Sequence, residues 1–201
     1  MLAMQKQYEV LDKFVSDFQK INMRIRTSKI PVVVATQGYV FGGGCEISMH
    51  CDAGIYAAES YIGLVEVGVG LLPGGGGTKE FALRASNDFF DGDVQTPTLI
   101  KYFKSIATAA VSTSAHEAYD LGSLNKNRDF VSVNAPMNLI LAKEKVLELS
   151  KNYMPASYRD DIHVLGRGGV SVLYSAINEF RMGEYMSCLL YTSPSPRDLD
   201  L

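Results

Sequence analysis

The sequence predicts an α/β chain, and three observations predict it. An amphipathic helix opens the readable part of the chain. A β-branched run, IPVVVA, follows it, and glycine-rich turns then lead twice from extended segments into helices. Strands alternating with helices in this way specify a mixed α/β architecture rather than a sandwich.

The elements follow in order. From Tyr8 to Ile25 the apolar positions Tyr8, Leu11, Phe14, Val15, Phe18, Ile21 and Ile25 recur at three- and four-residue steps, which predicts one helix lying against a core. Pro31 closes that segment, and IPVVVA reads as a buried strand. Gly42 to Gly44 turn the chain into a helix from about Cys45 to His50. AGIYAAE, Ala53 to Glu59, is a second strand, and LVEVGVG is a loop or a third. PGGGGTKEFALR passes from a glycine turn into another helix. Ser86 to Thr113, with Asp91-Gly92-Asp93 and Pro97, reads as a surface excursion and then a helix around Leu99 to Ala110. In SAHEAYDLG, Ser114 is the expected N-cap of a short helix, Glu117 completes a capping box, and Gly122 is the C-cap. A last helix near Asn138 to Asn152 carries Leu139, Ala142, Val146 and Leu149 on one face.

Composition narrows the class. With 201 residues, 47% hydrophobic and 20% charged, the chain is an ordinary globular sequence able to bury a core. Its net charge of −3 and the absence of a basic patch give no case for a nucleic-acid partner. No apolar run approaches bilayer-spanning length, and no signal-peptide pattern opens the chain. Three cysteines at irregular spacing make neither a disulfide framework nor a metal site. Cys45 and Cys51 read as small core residues in a reducing, cytoplasmic compartment. The end of the chain breaks every preceding pattern. CLLYTSPSPRD, Cys188 to Asp198, matches one translated frame of a sequencing-library adapter, so 188–201 is expected to be a non-native tail and 1–187 the domain.

The chemistry lies in the glycines and two glutamates. GGGGTK lacks the GK[ST] ending of a phosphate loop, and GVGLLP has Pro73 where a dinucleotide fingerprint needs its third glycine. A helix terminus explains GYVFGGGCEISMHCD better. Backbone N–H groups at the start of a helix are unpaired, and glycines let a ligand oxygen reach them. Aimed at a carbonyl oxygen, they stabilise the negative charge of a developing enolate. Glu46 stands in the first turn of that helix, and Glu66 lies in the next segment, which runs into a second glycine turn. Two carboxylates sharing one water can deliver hydroxide to one carbon and a proton to its neighbour, although spacing alone does not show convergence.

GYVFGGGCEISMHCD followed by YIGLVEVGVGLLPGGGGT resembles the signature region of the crotonase (enoyl-CoA hydratase/isomerase) superfamily. The resemblance covers essentially Met1 to Ser187 and is strongest from Ile30 to Arg84. It implies a spiral of ββα units with C-terminal helices, and a trans-2-enoyl-CoA thioester as substrate. It further implies an oxyanion-hole N–H at Gly43, acid/base roles for Glu46 and Glu66, and an acyl-thioester pocket lined by Phe41, Gly42, Val65 and Gly74. The family is generally oligomeric, so a homo-oligomer is expected. The upstream Ala-Gly-type loop that supplies the second oxyanion N–H has no counterpart here, so the chain reads as N-terminally truncated. The long Ser86 to Thr113 region is similar to the hydratase module fused to bacterial 3-hydroxyacyl-CoA dehydrogenase. On that likeness the parent is a bifunctional β-oxidation enzyme. NAD would be confined to an upstream domain, and no cofactor is expected within these residues. Isomerisation of a 3-enoyl-CoA, which needs only one carboxylate, and an inactive fragment are the alternatives.

Other polar residues read as structural. His50 is expected to be partly buried, His116 and His163 to lie on the surface, and Asp52 to cap the next turn. Lys79 and Arg84 read as solvated helix charges.

Overall fold

The computed structural model describes residues 7–90 and 92–183. The expected non-native tail, Cys188 and Asp91 all lie outside them. The architecture repeats a β-β-α unit. In the first, β1 (Val33–Thr36) and β2 (Tyr39–Phe41) lead into α2 (Gly43–His50). In the second, β3 (Ala53–Ala57) and β4 (Tyr61–Gly63) lead through a 3₁₀ turn, Glu66–Val69, into α3 (Gly77–Asn87). The units stack in parallel, β1 on β3 with Val33 opposite Ala53, and β2 on β4 with Tyr39 opposite Tyr61. Stacking puts the first strand of each unit in one sheet and the second strand in another. β6 (Asp129–Ser132) extends the first sheet in parallel and β5 (Val111–Ser112) joins the second antiparallel, giving the orders β1-β3-β6 and β2-β4-β5. Such unit-on-unit stacking is the spiral expected above.

The core lies between the sheets and α3. Met49, Tyr56, Ile62, Leu64, Phe81, Ile106 and Ala118 belong to one buried cluster. β3, buried at all five positions, is the central strand of its sheet, which is why AGIYA has no charged side chain. A Cβ on Gly63 would overlap the Ala110 carbonyl, so the antiparallel join of β4 to β5 requires glycine there.

The helices depart in detail from expectation. α1 runs Tyr8–Arg26, but Tyr8, Phe14 and Ile21 are exposed. The inward stripe is narrower, Leu11, Val15, Phe18, Asn22 and Ile25, because α1 lies over α2 and a glycine turn rather than over a broad core. α4 spans Thr96–Ala107, with Pro97 in its first turn, and buries Tyr102 and Ile106 against α3. In α5 (Glu117–Asp120) the Ser114 hydroxyl accepts from Glu117 N at 3.2 Å as the capping box requires, and Gly122 adopts φ +83°. The Glu117 carboxylate reaches one residue further back than expected, to the N–H and hydroxyl of Thr113. α6 (Asn138–Leu149) covers β1 and β3, yet Leu139 is 75% exposed and Ala142 alone of the four expected contacts is fully buried. α7 (Gly166–Met182), β2, β4, β5 and β6 were not predicted. The strands among them have two to four residues, too few to show a period, and α7 packs on α4 across a long sequence gap.

Among the described residues no helix is long and apolar enough to cross a membrane, and no group of three His, Cys, Asp or Glu is placed to hold a metal ion.

Candidate active site

The site forms where the two β-β-α units turn into their helices. Gly42 ends β2 in a conformation, φ 52° and ψ −123°, that only glycine adopts readily, and its N–H donates to the Gly63 carbonyl at 3.0 Å. This kink aims the start of α2 outward, and α2 has no side-chain cap. Its first N–H groups, Gly43 included, therefore have no intrahelical acceptor. Two of the three glycines have a structural reason. Gly42 needs its backbone angle, and a Cβ there would stand 3.2 Å from Glu66 Oε1. A Cβ on Gly43 would press on the Phe18 ring at 3.2 Å, whereas one on Gly44 would meet nothing within 4 Å.

Glu46 sits in the first turn of α2, only 2% exposed. Its Oε1 accepts the Gly77 N–H at 2.8 Å, so the carboxylate acts as the cap that α3 otherwise lacks. Burial raises its pKa above the ordinary carboxylate value, and the Gly75–Gly77 backbone N–H groups partly offset this. Glu66 opens the 3₁₀ turn; its carboxylate lies against Gly42, and its Oε2 is buried with no partner. Burial raises its pKa too, and the charge of Glu46 adds to the effect. The two carboxylates, unrelated in local sequence, thus lie near enough for the charge of one to act on the other. Val65 Cγ2 lies 3.9 Å from the Gly42 Cβ position, and Phe41 precedes Gly42 at the end of β2. Gly74 stands apart from the glutamates: exposed, it accepts a hydrogen bond on its carbonyl from Gln19 at 2.7 Å.

Several residues here escaped the sequence reading. α1 holds the second glycine turn, with Gln19 on the Gly74 carbonyl and buried Asn22 donating to the Gly75 carbonyl at 2.7 Å. Gly75 is required because any Cβ would overlap both the Phe18 ring and the Glu46 carboxylate. An amide residue inside an apolar helical stripe, as Asn22 is, was the available signal.

Three structural assignments are corrected. His50 is 1% exposed rather than partly buried; its Nδ1–H donates to the Glu46 carbonyl at 2.7 Å and its Nε2 accepts from Lys79 Nζ at 2.9 Å. Arg84 is buried, not solvated, because the Gly122 carbonyl that closes α5 needs a donor. Lys79 is exposed, as expected of a helix charge, and also bridges Glu80 at 2.8 Å. Asp52 caps no following turn. It accepts the Val32 N–H at 2.8 Å and the Tyr153 hydroxyl, pinning the start of β1. Cys45 and Cys51 are buried free thiols, as expected.

A family described as "Enoyl-CoA hydratase/isomerase" matches residues 1–90. A protein of Bacillus subtilis named "Probable 3-hydroxyacyl-CoA dehydrogenase" is 35% identical over 177 residues, 88% of this chain and 22% of that protein. A "Short-chain-enoyl-CoA hydratase" of Clostridium acetobutylicum is 28% identical over 63% of this chain and 49% of the relative. The crystal structure of an enoyl-CoA hydratase from Polaromonas sp. JS666 superposes with a TM-score of 0.55 at 24% identity, over 71% of this chain and 48% of that one. Residues 1–90 belong to the enoyl-CoA hydratase/isomerase family, and the chain has the crotonase fold. It spans less than half the length of these curated relatives.

Proposed function

We propose that this chain is an enoyl-CoA hydratase module, adding water across a trans-2-enoyl-CoA in fatty-acid β-oxidation. The observation that carries it is a pair of carboxylates, both with pKa raised by burial, Glu46 in the first turn of uncapped α2 and Glu66 near enough to feel its charge. The thioester carbonyl oxygen accepts from the Gly43 N–H, which stabilises the charge arriving as water attacks. Glu46 takes a proton from that water for attack at C3, and Glu66 delivers the proton to C2. Raised pKa values suit both roles, since a base and an acid working near neutrality need values closer to 7 than a free carboxylate has. Phe41, Gly42 and Val65 line the thioester's approach, and Gly74 contributes at the outer edge.

The likeness to the B. subtilis relative supports fusion to an NAD-dependent 3-hydroxyacyl-CoA dehydrogenase, a partner that would oxidise the alcohol formed here. On this reading the module itself takes no cofactor, assembles as an oligomer and works in the cytoplasm.

In the full-length protein, Glu46→Gln and Glu66→Gln are each expected to lower hydration of a short trans-2-enoyl-CoA by about 10²–10⁴-fold while thioester binding stays near its original strength. Normal turnover in either variant removes that residue from the mechanism. Recovery of a shifted double bond in place of 3-hydroxyacyl-CoA would mark the protein as an isomerase.

A further inference from the structure

Behind Glu46 lies a group of charged residues that the proposed chemistry leaves unused. His50, on the last turn of α2, is buried against the second glycine turn: a Cβ on Gly76 would stand 2.9 Å from His50 Cε1. The Glu46 carbonyl can only accept, so His50 Nδ1 carries the ring proton. The Lys79 ammonium can only donate, so Nε2 is bare. Lys79 is on the first turn of α3, two residues past Gly77, whose N–H holds Glu46 Oε1 at 2.8 Å.

These contacts close a ring. From the Glu46 carboxylate it passes to the Gly77 N–H, along α3 to Lys79, across to His50 and back to the Glu46 carbonyl. Buried Glu80 anchors the ring from outside, taking Lys79 on Oε1 and the Arg26 guanidinium on Oε2. Arg26 also donates to the Met49 carbonyl at 2.8 Å, tying α1 to the end of α2.

We propose that His50 and Lys79, anchored by Glu80 and Arg26, are positioning residues that hold the Glu46 carboxylate against the N-terminus of α3. The inference rests on Glu46 being the base. An eight-residue helix with a kinked glycine at its head has little rigidity of its own, so its one functional side chain needs outside restraint. The ring supplies it at two points of the same residue, backbone carbonyl and carboxylate. Burial supports the assignment, since it depresses the His50 pKa to about 4 and keeps Nε2 free to accept at neutral pH. The groups facing the ring are the Glu46 carbonyl from its own helix, Lys79 and Glu80 from α3, and Arg26 from α1.

The test uses the full-length protein and two readouts. The first is the titration of Glu46 itself, followed as the carboxyl infrared band that disappears in Glu46→Gln. His50→Met and Lys79→Met each open the ring, so the Gly77 N–H is held less firmly and the Glu46 pKa should rise by about one pH unit. His50→Asn keeps a donor at the Nδ1 position and should restore part of the original value. The second readout is hydration of a trans-2-enoyl-CoA. Both methionine variants should lose about tenfold in kcat with KM within about twofold, because geometry rather than binding is altered. Folded methionine variants whose Glu46 titrates as in the parent protein would overturn the proposal. A parent protein that does not hydrate the thioester would refute the proposed function alone, because the infrared titration still decides whether the ring holds Glu46.

Discussion

His50 gives a stability prediction whose size follows from its surroundings. The imidazole is buried and neutral, its Nε2 facing the Lys79 ammonium, and its pKa is depressed from 6.5 to about 4. Between those values the unfolded chain binds a proton that the native chain refuses, so stability rises with pH across the window. The contribution is complete above about pH 6.5 and is lost as pH falls toward 4. At 1.36 kcal/mol per pKa unit the loss is about 3 kcal/mol, a large part of the 5–15 kcal/mol that holds a typical domain folded. Glu46 and Glu66 act in the opposite sense, because their raised pKa values make the native state the stronger proton binder as the solution is acidified. The parent protein's own curve therefore mixes signs, and a comparison with His50→Asn isolates the histidine. Urea unfolding of both proteins, followed by circular dichroism at pH 7.5, 6, 5 and 4, measures it. The stability advantage of the parent over His50→Asn should shrink by about 3 kcal/mol over that range. A difference constant with pH would mean that the imidazole titrates alike in both states, and the buried neutral ring would be the wrong description.

Other perturbations reach neighbouring parts of the site. Gly75→Ala places a methyl group into the Phe18 ring and the Glu46 carboxylate; a loss of about 1–3 kcal/mol by thermal unfolding, and a fall in any turnover that uses Glu46, are expected. Arg26→Met strips one cation from buried Glu80 and one donor from the Met49 carbonyl. Lys79 remains, so the cost in urea unfolding should be about 2–3 kcal/mol rather than the full penalty of an unpaired buried charge. Glu80 has its carboxyl pushed up by burial but pulled further down by Arg26 and Lys79, to about 2. Its stabilisation should persist above pH 4.5 and disappear as pH falls toward 2, and Glu80→Gln should abolish that limb of the stability profile. Arg128 donates to the Met49 and Cys51 carbonyls at the end of α2, so Arg128→Ala should cost about 1–3 kcal/mol by the same assay.

Glycine at 42–44, a first-turn glutamate and the apolar runs around them sit close together in the chain, and their meaning is local. A backbone angle closed to side chains and an uncapped helix start are decided within a few residues, so α2, β1 and β3 were legible by pattern alone. The approach of Glu66 to Glu46 was not legible. It depends on β2 lying in register with β4, which brings Gly42 beside the turn that follows Gly63, and no spacing records that pairing. Arg84 reads as solvated because a charge on a helix is solvated in most settings, and nothing in the local pattern singles out Glu80 or Arg26. Only when α1, α2 and α3 pack does Glu80 become buried, where an unpaired charge is too costly to persist, and Arg26 and Lys79 reach it from the rim while His50 is buried beside it. The sequence by itself determined the fold class and the family likeness; tertiary packing decided how Glu46 is held and which charges are buried, because both depend on helices far apart in the chain.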